Sequence, residues 1–261
     1  MKDKRLDIFK GSVKEIRAVT YSTDACKLLV VPLGDVHLGA PTCDIQKFLA
    51  TVKFIEETDC KVILMGDLLE AASKSSVGSG WVEQTASPQD QLDALKEVLF
   101  PIKDKILVVL DGNHEERIQK SVGIKVSKVL ADYFEAPYGG YSAFVYLRVK
   151  NQNYIVHAQH GSTGARYLRT KMHAAMKTAE HTEADIYLYG HTHELATASQ
   201  PYRQFDKRGR HVKMIKKRFV LTGGFLNYFG GYAERKNLNP SPIGVANLIF
   251  DGKKWDIHVS T

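Results

Sequence analysis

Short apolar, β-branched runs recur along the chain, and each stops abruptly at Gly, Asp, Asn or His. Leu28–Leu33 leads into Gly34-Asp35-Val36-His37, and Val62–Met65 into Gly66-Asp67. Ile106–Leu110 is followed by Asp111-Gly112-Asn113-His114, Tyr154–Val156 by His160-Gly161, and Ile186–Tyr189 by Gly190-His191-Thr192-His193. Continuous apolar runs of this length predict strands buried on both faces. Between them, Ile45–Glu57 sets Phe48, Leu49, Val52 and Ile55 near a 3.6-residue period. Pro88–Val98 repeats the pattern with Leu92, Leu95 and Val98, behind Ser87 as N-cap and Pro88 at the first helical position. Val122–Phe134 and Arg166–Ala179 read as further helices. Phe144–Val149, Phe219–Thr222, Val245–Phe250 and Trp255–Val259 read as strands joined by tight turns such as Asp251-Gly252. The alternation predicts an α/β fold of two packed sheets with helices outside.

Two polar stretches interrupt this order. Ser73–Gly80, rich in Ser and Gly, reads as a loop near the strand ends, and Gln200–Lys217 as a mobile, basic connection. There is no internal repeat and no composition shift that marks a boundary, so residues 1–261 are expected to form a single domain. A chain of 261 residues is long enough to bury its own core. No apolar run approaches the roughly 18 residues that span a bilayer. The N-terminal MKDKRLDIFKG has no apolar segment of the secretory kind. Cys26, Cys43 and Cys60 include no CxxC pair and supply neither a disulfide framework nor a thiolate zinc site. The cytoplasm is the expected compartment.

Charge changes the picture locally. The chain carries 36 Lys and Arg against 29 Asp and Glu, a formal +7. Lys207, Arg208, Arg210, Lys213, Lys216, Lys217 and Arg218 crowd together, which points to an anionic partner or to a solvated hairpin tip.

The polar residues that end the five apolar runs are Asp35, His37, Asp67, Asn113, His114, His160, His191 and His193. In an open α/β sheet, ligands bind outside the carboxyl ends of the strands, so these side chains are expected to converge. Carboxylate, imidazole and amide oxygen form a ligand set for divalent transition metals. Seven such ligands are too many for one ion and suit two, with one carboxylate shared; paired ions suit in-line attack on phosphorus.

In their order, GDVHLG, GDLLE, GNHE, HG and GHTH resemble the motifs of the calcineurin-like metallophosphoesterase superfamily. The resemblance runs from Gly34 to His193. It implies a four-layer αββα sandwich with a dinuclear centre at the strand ends. Carried over motif by motif, it implies Asp35, His37 and His193 at one metal, Asn113, His160 and His191 at the other, and Asp67 bridging. The ions would be Mn²⁺, with Fe²⁺ or Zn²⁺ as alternatives, and a hydroxide shared between them would be the nucleophile. His114 would protonate or stabilise the leaving oxygen. In the fourth motif the neighbouring Gly161 favours His160; His157 is the alternative, otherwise a core residue of the strand. Asp111 and Glu115 are expected to orient ligand histidines or to serve the turn, and Arg117 to clamp phosphate.

The branch is narrower. Asp67-Leu68-Leu69-Glu70 lacks the Arg of serine/threonine protein phosphatases in this superfamily. GDVHLG and GDLL are more similar to exonuclease subunits of the SbcD and double-strand-break-repair type, although Glu115 stands where those carry Asp. The expected activity is therefore phosphodiester hydrolysis on a nucleic acid or nucleotide, a nuclease in the leading case. A phosphomonoesterase on a small phosphorylated substrate and a non-catalytic scaffold of the same fold are the alternatives. Lys213, Lys216 and Lys217 are expected at the rim of the cleft. Tyr138-Gly139-Gly140-Tyr141 and Tyr228-Phe229-Gly230-Gly231-Tyr232 offer base-stacking platforms. Oligomeric state is not encoded in any recognisable pattern.

Overall fold

The computed structural model describes residues 18–73, 80–206 and 208–261, with the Tyr232 side chain excepted. The N-terminal segment, most of the Ser-rich loop and Lys207 lie outside the described residues. Among the described residues, thirteen strands build two sheets. In chain order they are β1 (Ala18–Thr23), β2 (Lys27–Leu33), β3 (Cys60–Leu64), β4 (Ile106–Leu110), β5 (Tyr138–Gly140), β6 (Ser142–Val149), β7 (Gln152–Gln159), β8 (Ile186–Tyr189), β9 (Leu195–Asp206), β10 (His211–Gly224), β11 (Gly244–Val245), β12 (Asn247–Asp251) and β13 (Ile257–Ser260). One sheet runs β13-β12-β2-β3-β4-β5 and the other β1-β6-β7-β8-β10-β11, with β9 paired outside β10. Strands β2, β3 and β4 are mutually parallel, as are β7, β8 and β10.

Among the described residues, five helices of eight residues or more cover the outside: α1 (Ile45–Glu57), α2 (Pro88–Leu99), α3 (Asn113–Val122), α4 (Val126–Tyr133) and α5 (Leu168–Lys177). The Ser87 hydroxyl accepts from Asp90 N at the start of α2, and Asp44 accepts from Lys47 N at the start of α1. Alternate residues of β2 divide between two cores. Val31 and Leu33 face Phe48 and Ile55 of α1 and Leu95 of α2. Val30 faces the other sheet, where Val108 of β4 meets Val145, Val156, Leu188 and Val220. On the far side, α5 lays Met172 and Ala175 over Tyr189 and Leu221. The layers are helix, sheet, sheet, helix, the αββα sandwich expected. Each large apolar side chain so buried contributes roughly 1.5–3 kcal/mol.

Two local expectations fail. Val122–Phe134 is not one helix: Gly123, in the left-handed region at φ 76°, ends α3, and α4 starts three residues later. Gln200–Lys217 is not an irregular connection. It belongs to a continuous antiparallel ladder from Leu195↔Thr222 to Asp206↔His211. The sequence hides these strands because most of their side chains are polar and solvent-facing, so the alternation that marks a half-buried strand is missing. Among the described residues, no helix is long and apolar enough to cross a membrane.

Candidate active site

Five strands deliver the eight motif residues to one end of the sandwich. Gly34-Asp35 follows β2, Met65-Gly66-Asp67 follows β3, Asp111-Gly112-Asn113 follows β4, His160 follows β7 and Gly190-His191 follows β8. The chain turns sharply at each exit. Asp35, His37, Asp67, His191 and His193 all hold the left-handed region, with φ between 49° and 63°. Such residues cost of order 1–3 kcal/mol each and persist only where surrounding structure enforces them. Gly66 and Gly112 allow two of the loops to touch. A Cβ on Gly112 would lie 2.0 Å from Asp67 N, and one on Gly66 2.5 Å from Gly112 N.

The side chains share one design: an atom fixed by protein, and an atom left facing the centre. Asp35 Oδ2 accepts from His191 N at 2.9 Å, while its buried Oδ1 has no hydrogen-bond partner. Asp67 Oδ1 accepts from His114 N at 2.8 Å. Its Oδ2 lies 3.3 Å from His160 Nε2, 3.7 Å from His37 Nε2 and 3.9 Å from His114 Nε2. His37 Nδ1 donates to Glu70 Oε2 at 3.2 Å, and its buried Nε2 is unpartnered. His160 Nδ1 donates to the Met65 carbonyl at 2.9 Å. A carbonyl only accepts, so Nδ1 carries a proton, and Nε2 is the nitrogen turned toward Asp67. Asn113 Oδ1 lies 2.7 Å from His191 Nδ1 and 3.0 Å from His160 Nε2. His193 Nε2 stands 3.6 Å from Asp35 Oδ1.

Buried polar atoms without partners are costly, and three of them, Asp35 Oδ1, His37 Nε2 and His193 Nδ1, belong to this centre. The candidate ligand atoms fall into groups, each within 4.8 Å of one another: Asp35, His37 and His193; and Asp67, His160 and His191. A third such group joins His37, Glu70 and His114. Charge responds to this crowding. Burial and the neighbouring Asp67 push the Asp35 carboxyl up to about 7, against the opposing pull of His160. Burial disfavours a charged His160, yet Asp67 and Asp35 lift it to about 10. The proton thus stands in for positive charge that the carboxylates demand, the situation a divalent cation relieves. Burial and the nearby His37 press His114 down to about 4.

His114 occupies the first turn of α3. Its Nδ1 donates to the Glu70 carbonyl at 2.7 Å, and Arg117 Nη2 donates to its Nε2 at 2.8 Å. His157 stays away from this centre. It packs against Phe144 within β6 and β7, and its Nδ1 has no partner. Asp111 and Glu115 do not orient histidines. Asp111 accepts from the Tyr138 hydroxyl. The buried Glu115 accepts from the backbone amides of Asp67, Leu68 and Leu69 at 2.8–3.0 Å. Glu70, which sequence reasoning passed over, holds His37 through its carboxylate and His114 through its carbonyl; its only signal was its place three residues after Asp67.

The centre opens into a cleft of about 880 Å³ lined by Arg117, Arg166, Asn227, Tyr228, Arg235 and Lys236, among others. Glu83 and Arg235 pair on its wall, with contacts of 2.8 and 3.0 Å. Lys213, Lys216 and Lys217 are absent from it. Leu221 of β10 lies beside Tyr189 at the strand exits, and Lys213 is eight residues back, about 26 Å away. The expected basic rim is therefore at the opposite end of the sheet. Tyr228 does reach the cleft, whereas Tyr138 is buried beneath Asp111.

A two-sheet sandwich that gathers imidazoles and carboxylates at its strand exits offers a site for divalent metal. A profile of the calcineurin-like phosphoesterase family matches residues 28–195, and the chain belongs to that family. It binds divalent metal and acts on a phosphoester. No curated protein matches it. Several solved structures align along most of its length. A metallophosphoesterase from Sphaerobacter thermophilus is 12% identical over 90% of this chain and 89% of its own, with a TM-score of 0.41. A zinc complex of Vps29 from Entamoeba histolytica is 13% identical over 89% and 97%, with a TM-score of 0.41. An uncharacterised predicted phosphoesterase from Streptococcus pneumoniae is 13% identical over 91% of each chain, with a TM-score of 0.39.

Proposed function

We propose that the protein is a two-metal phosphodiesterase of nucleic acid, built as one domain. Asp35, His37 and His193 hold one ion, and Asn113, His160 and His191 the other, with Asp67 between them; Mn²⁺ is the favoured metal. The observation that carries this reading is Asp67 Oδ2, facing His37 on one side and His160 on the other while Oδ1 is tied to His114 N. When bound, the ions lower the pKa of a shared water and neutralise phosphoryl oxygens, which supplies a nucleophile at neutral pH.

The chain's own residues do the rest. Glu70 and Met65 fix the tautomers of His37 and His160 so that Nε2 of each presents a lone pair. His114 rests neutral because burial, with the nearby His37 and Arg117, outweighs the pull of Asp67 and Glu70. An incoming phosphate adds negative charge beside the ring, which raises the affinity of the imidazole for a proton where a leaving oxygen needs one. Arg117, fixed beside the same ring, is placed to meet a non-bridging phosphoryl oxygen. The width of the cleft and its mix of Arg166, Asn227 and Tyr228 suit a nucleotide unit better than a bare phosphate.

The test compares bis-p-nitrophenyl phosphate, p-nitrophenyl phosphate and DNA and RNA oligonucleotides, each with Mn²⁺ and with chelator. Mn²⁺-dependent cleavage of the diester and of an oligonucleotide is expected. Faster turnover of the monoester would replace this reading with a phosphomonoesterase. No turnover of any ester with any divalent ion would leave a scaffold.

A further inference from the structure

Strand β10 meets β8 only from Arg218 onward, where Arg218 lies opposite Ile186. Before that point, residues 200–206 and 208–217 form a two-stranded ribbon with no third strand on either edge among the described residues. At about 3.3 Å per residue it extends roughly 20 Å past the start of β8. The junction is anchored. Arg218 Nη2 is 3.0 Å from Asp256 Oδ1 and its guanidinium lies over Trp255, while the Lys217 ammonium sits over Tyr202. The ribbon is a fixed arm at its root.

Register assigns its faces. Val212, Met214 and Lys216 share one face with their partners Phe205, Arg203 and Pro201. Two residues further along β10 on each step, the same face reaches Val220 in the core between the sheets. On the arm that inner face has lost its cover: Phe205, Val212 and Met214 are 60%, 60% and 63% exposed. Charge is equally one-sided. Residues 200–217 hold seven Lys and Arg and a single acid, Asp206, whose carboxylate accepts from Arg208 N and Gly209 N to form the turn. Arg203, Arg208, Arg210, Lys213 and Lys216 are exposed, and the one acid near them, Asp206 beside Lys213, spends its carboxylate on the turn amides. A bare two-stranded ribbon is marginal in water, and unpaired like charges weaken it further.

We propose that this arm is a second nucleic-acid contact, separate from the catalytic cleft, which grips phosphates with Arg203, Arg208, Arg210, Lys213 and Lys216 and bases with Phe205. The inference rests on reading the substrate as nucleic acid and extends it. The cations leave the ribbon from both faces and from its tip. A flat anionic membrane meets one face, and a second arm brings like charge, whereas a nucleic acid surrounds the ribbon. A two-stranded ribbon is of a size to enter the major groove, and an exposed aromatic beside cations stacks on unpaired bases. With the arm's cations beginning about 17 Å from the strand exits at Lys216 and about 26 Å away at Lys213, only a polymer reaches both sites.

Anisotropy of labelled 30-mer DNA, single-stranded and duplex, measured with the full chain in chelator, reads binding without turnover. R203Q/K213Q/K216Q is expected to weaken binding about tenfold and to lower the salt slope by about two to three, one phosphate contact per residue removed. Phe205→Ser is expected to weaken the single strand more than the duplex if bases stack there. Thermal melting of each variant must match the parent. Unchanged affinity and salt slope would overturn the proposal. So would a triple variant that loses phosphatidylserine vesicles but not DNA, or a dimer dissolved by Phe205→Ser. Arm-dependent binding without cleavage of any oligonucleotide leaves the arm standing and removes the nuclease reading. Cleavage with arm-independent binding does the reverse.

Discussion

The two ends of the β8–β10 sheet are both dense in charge and have opposite physics. At the strand exits, the charges are buried or half-buried, most have one atom fixed by the backbone or a neighbour, and five of the eight residues hold left-handed conformations. On the arm, the cations from Arg203 to Lys216 are exposed and, outside the turn that carries Arg208 and Arg210, sit on ordinary extended backbone. Buried groups cannot relax when one is changed, so single substitutions there should be severe. Exposed cations act additively through phosphates and should be lost by degrees. A run of charge in a sequence does not say which case applies. Position relative to the strand ends does.

The largest effect that would test this contrast is at Asp67. Asp67→Asn keeps the shape but removes the charge between the two ligand groups. It is expected to abolish turnover and to lower bound metal per chain by more than His193→Ala does, as elemental analysis would read. Two retained metal equivalents would take Asp67 out of the bridging position. Next comes His114→Ala. Metal content should stay near normal while turnover falls about 10²–10⁴-fold, with the loss smaller for p-nitrophenolate than for an alkoxide leaving group. Equal losses for both leaving groups would argue against proton donation.

His157 sharpens the comparison from the middle of the sheet, where a titratable group has neither anchor nor solvent. Burial presses it down to about 4. In the unfolded chain it titrates near 6.5, so between these values the unfolded state binds the extra proton. Stability tied to His157 is complete above about pH 6.5 and is lost as pH falls toward 4, by up to about 3 kcal/mol. Denaturant melts of His157→Leu should show a pH slope shallower than the parent by that amount. Parallel slopes would mean that the imidazole is solvated on protonation. The smallest effect expected is at Glu70. Glu70→Gln keeps the carbonyl that holds His114 but weakens the grip on His37. Metal affinity should drop about 10–100-fold, with the leaving-group dependence unchanged.

The sequence made the exits legible because each motif combined two independent signals, an apolar run and a polar residue of the right type just after it. That is why all eight side chains meet, and why α1 runs from Ile45 to Glu57 as its periodicity predicts. It was blind to what depends on partners distant in the chain. The roles of Glu70 and Glu115 follow from which backbone amides and rings come near after folding. The arm escaped because exposed strands need no apolar alternation, and its seven cations looked like a rim only while its direction was unknown.

Glu115 has a consequence for how such a protein can change over generations. One carboxylate from the third motif clasps three successive amides of the second, so the two loops form a single mechanical part, although 48 residues separate Glu115 from Asp67. Whatever the chain does between them is free of the duty to hold them together. Lengthening that stretch costs only closure entropy, which rises by about 0.6 kcal/mol for each doubling. New lids, specificity loops or whole inserted segments can therefore be tried between the second and third motifs while the chemistry stays in place.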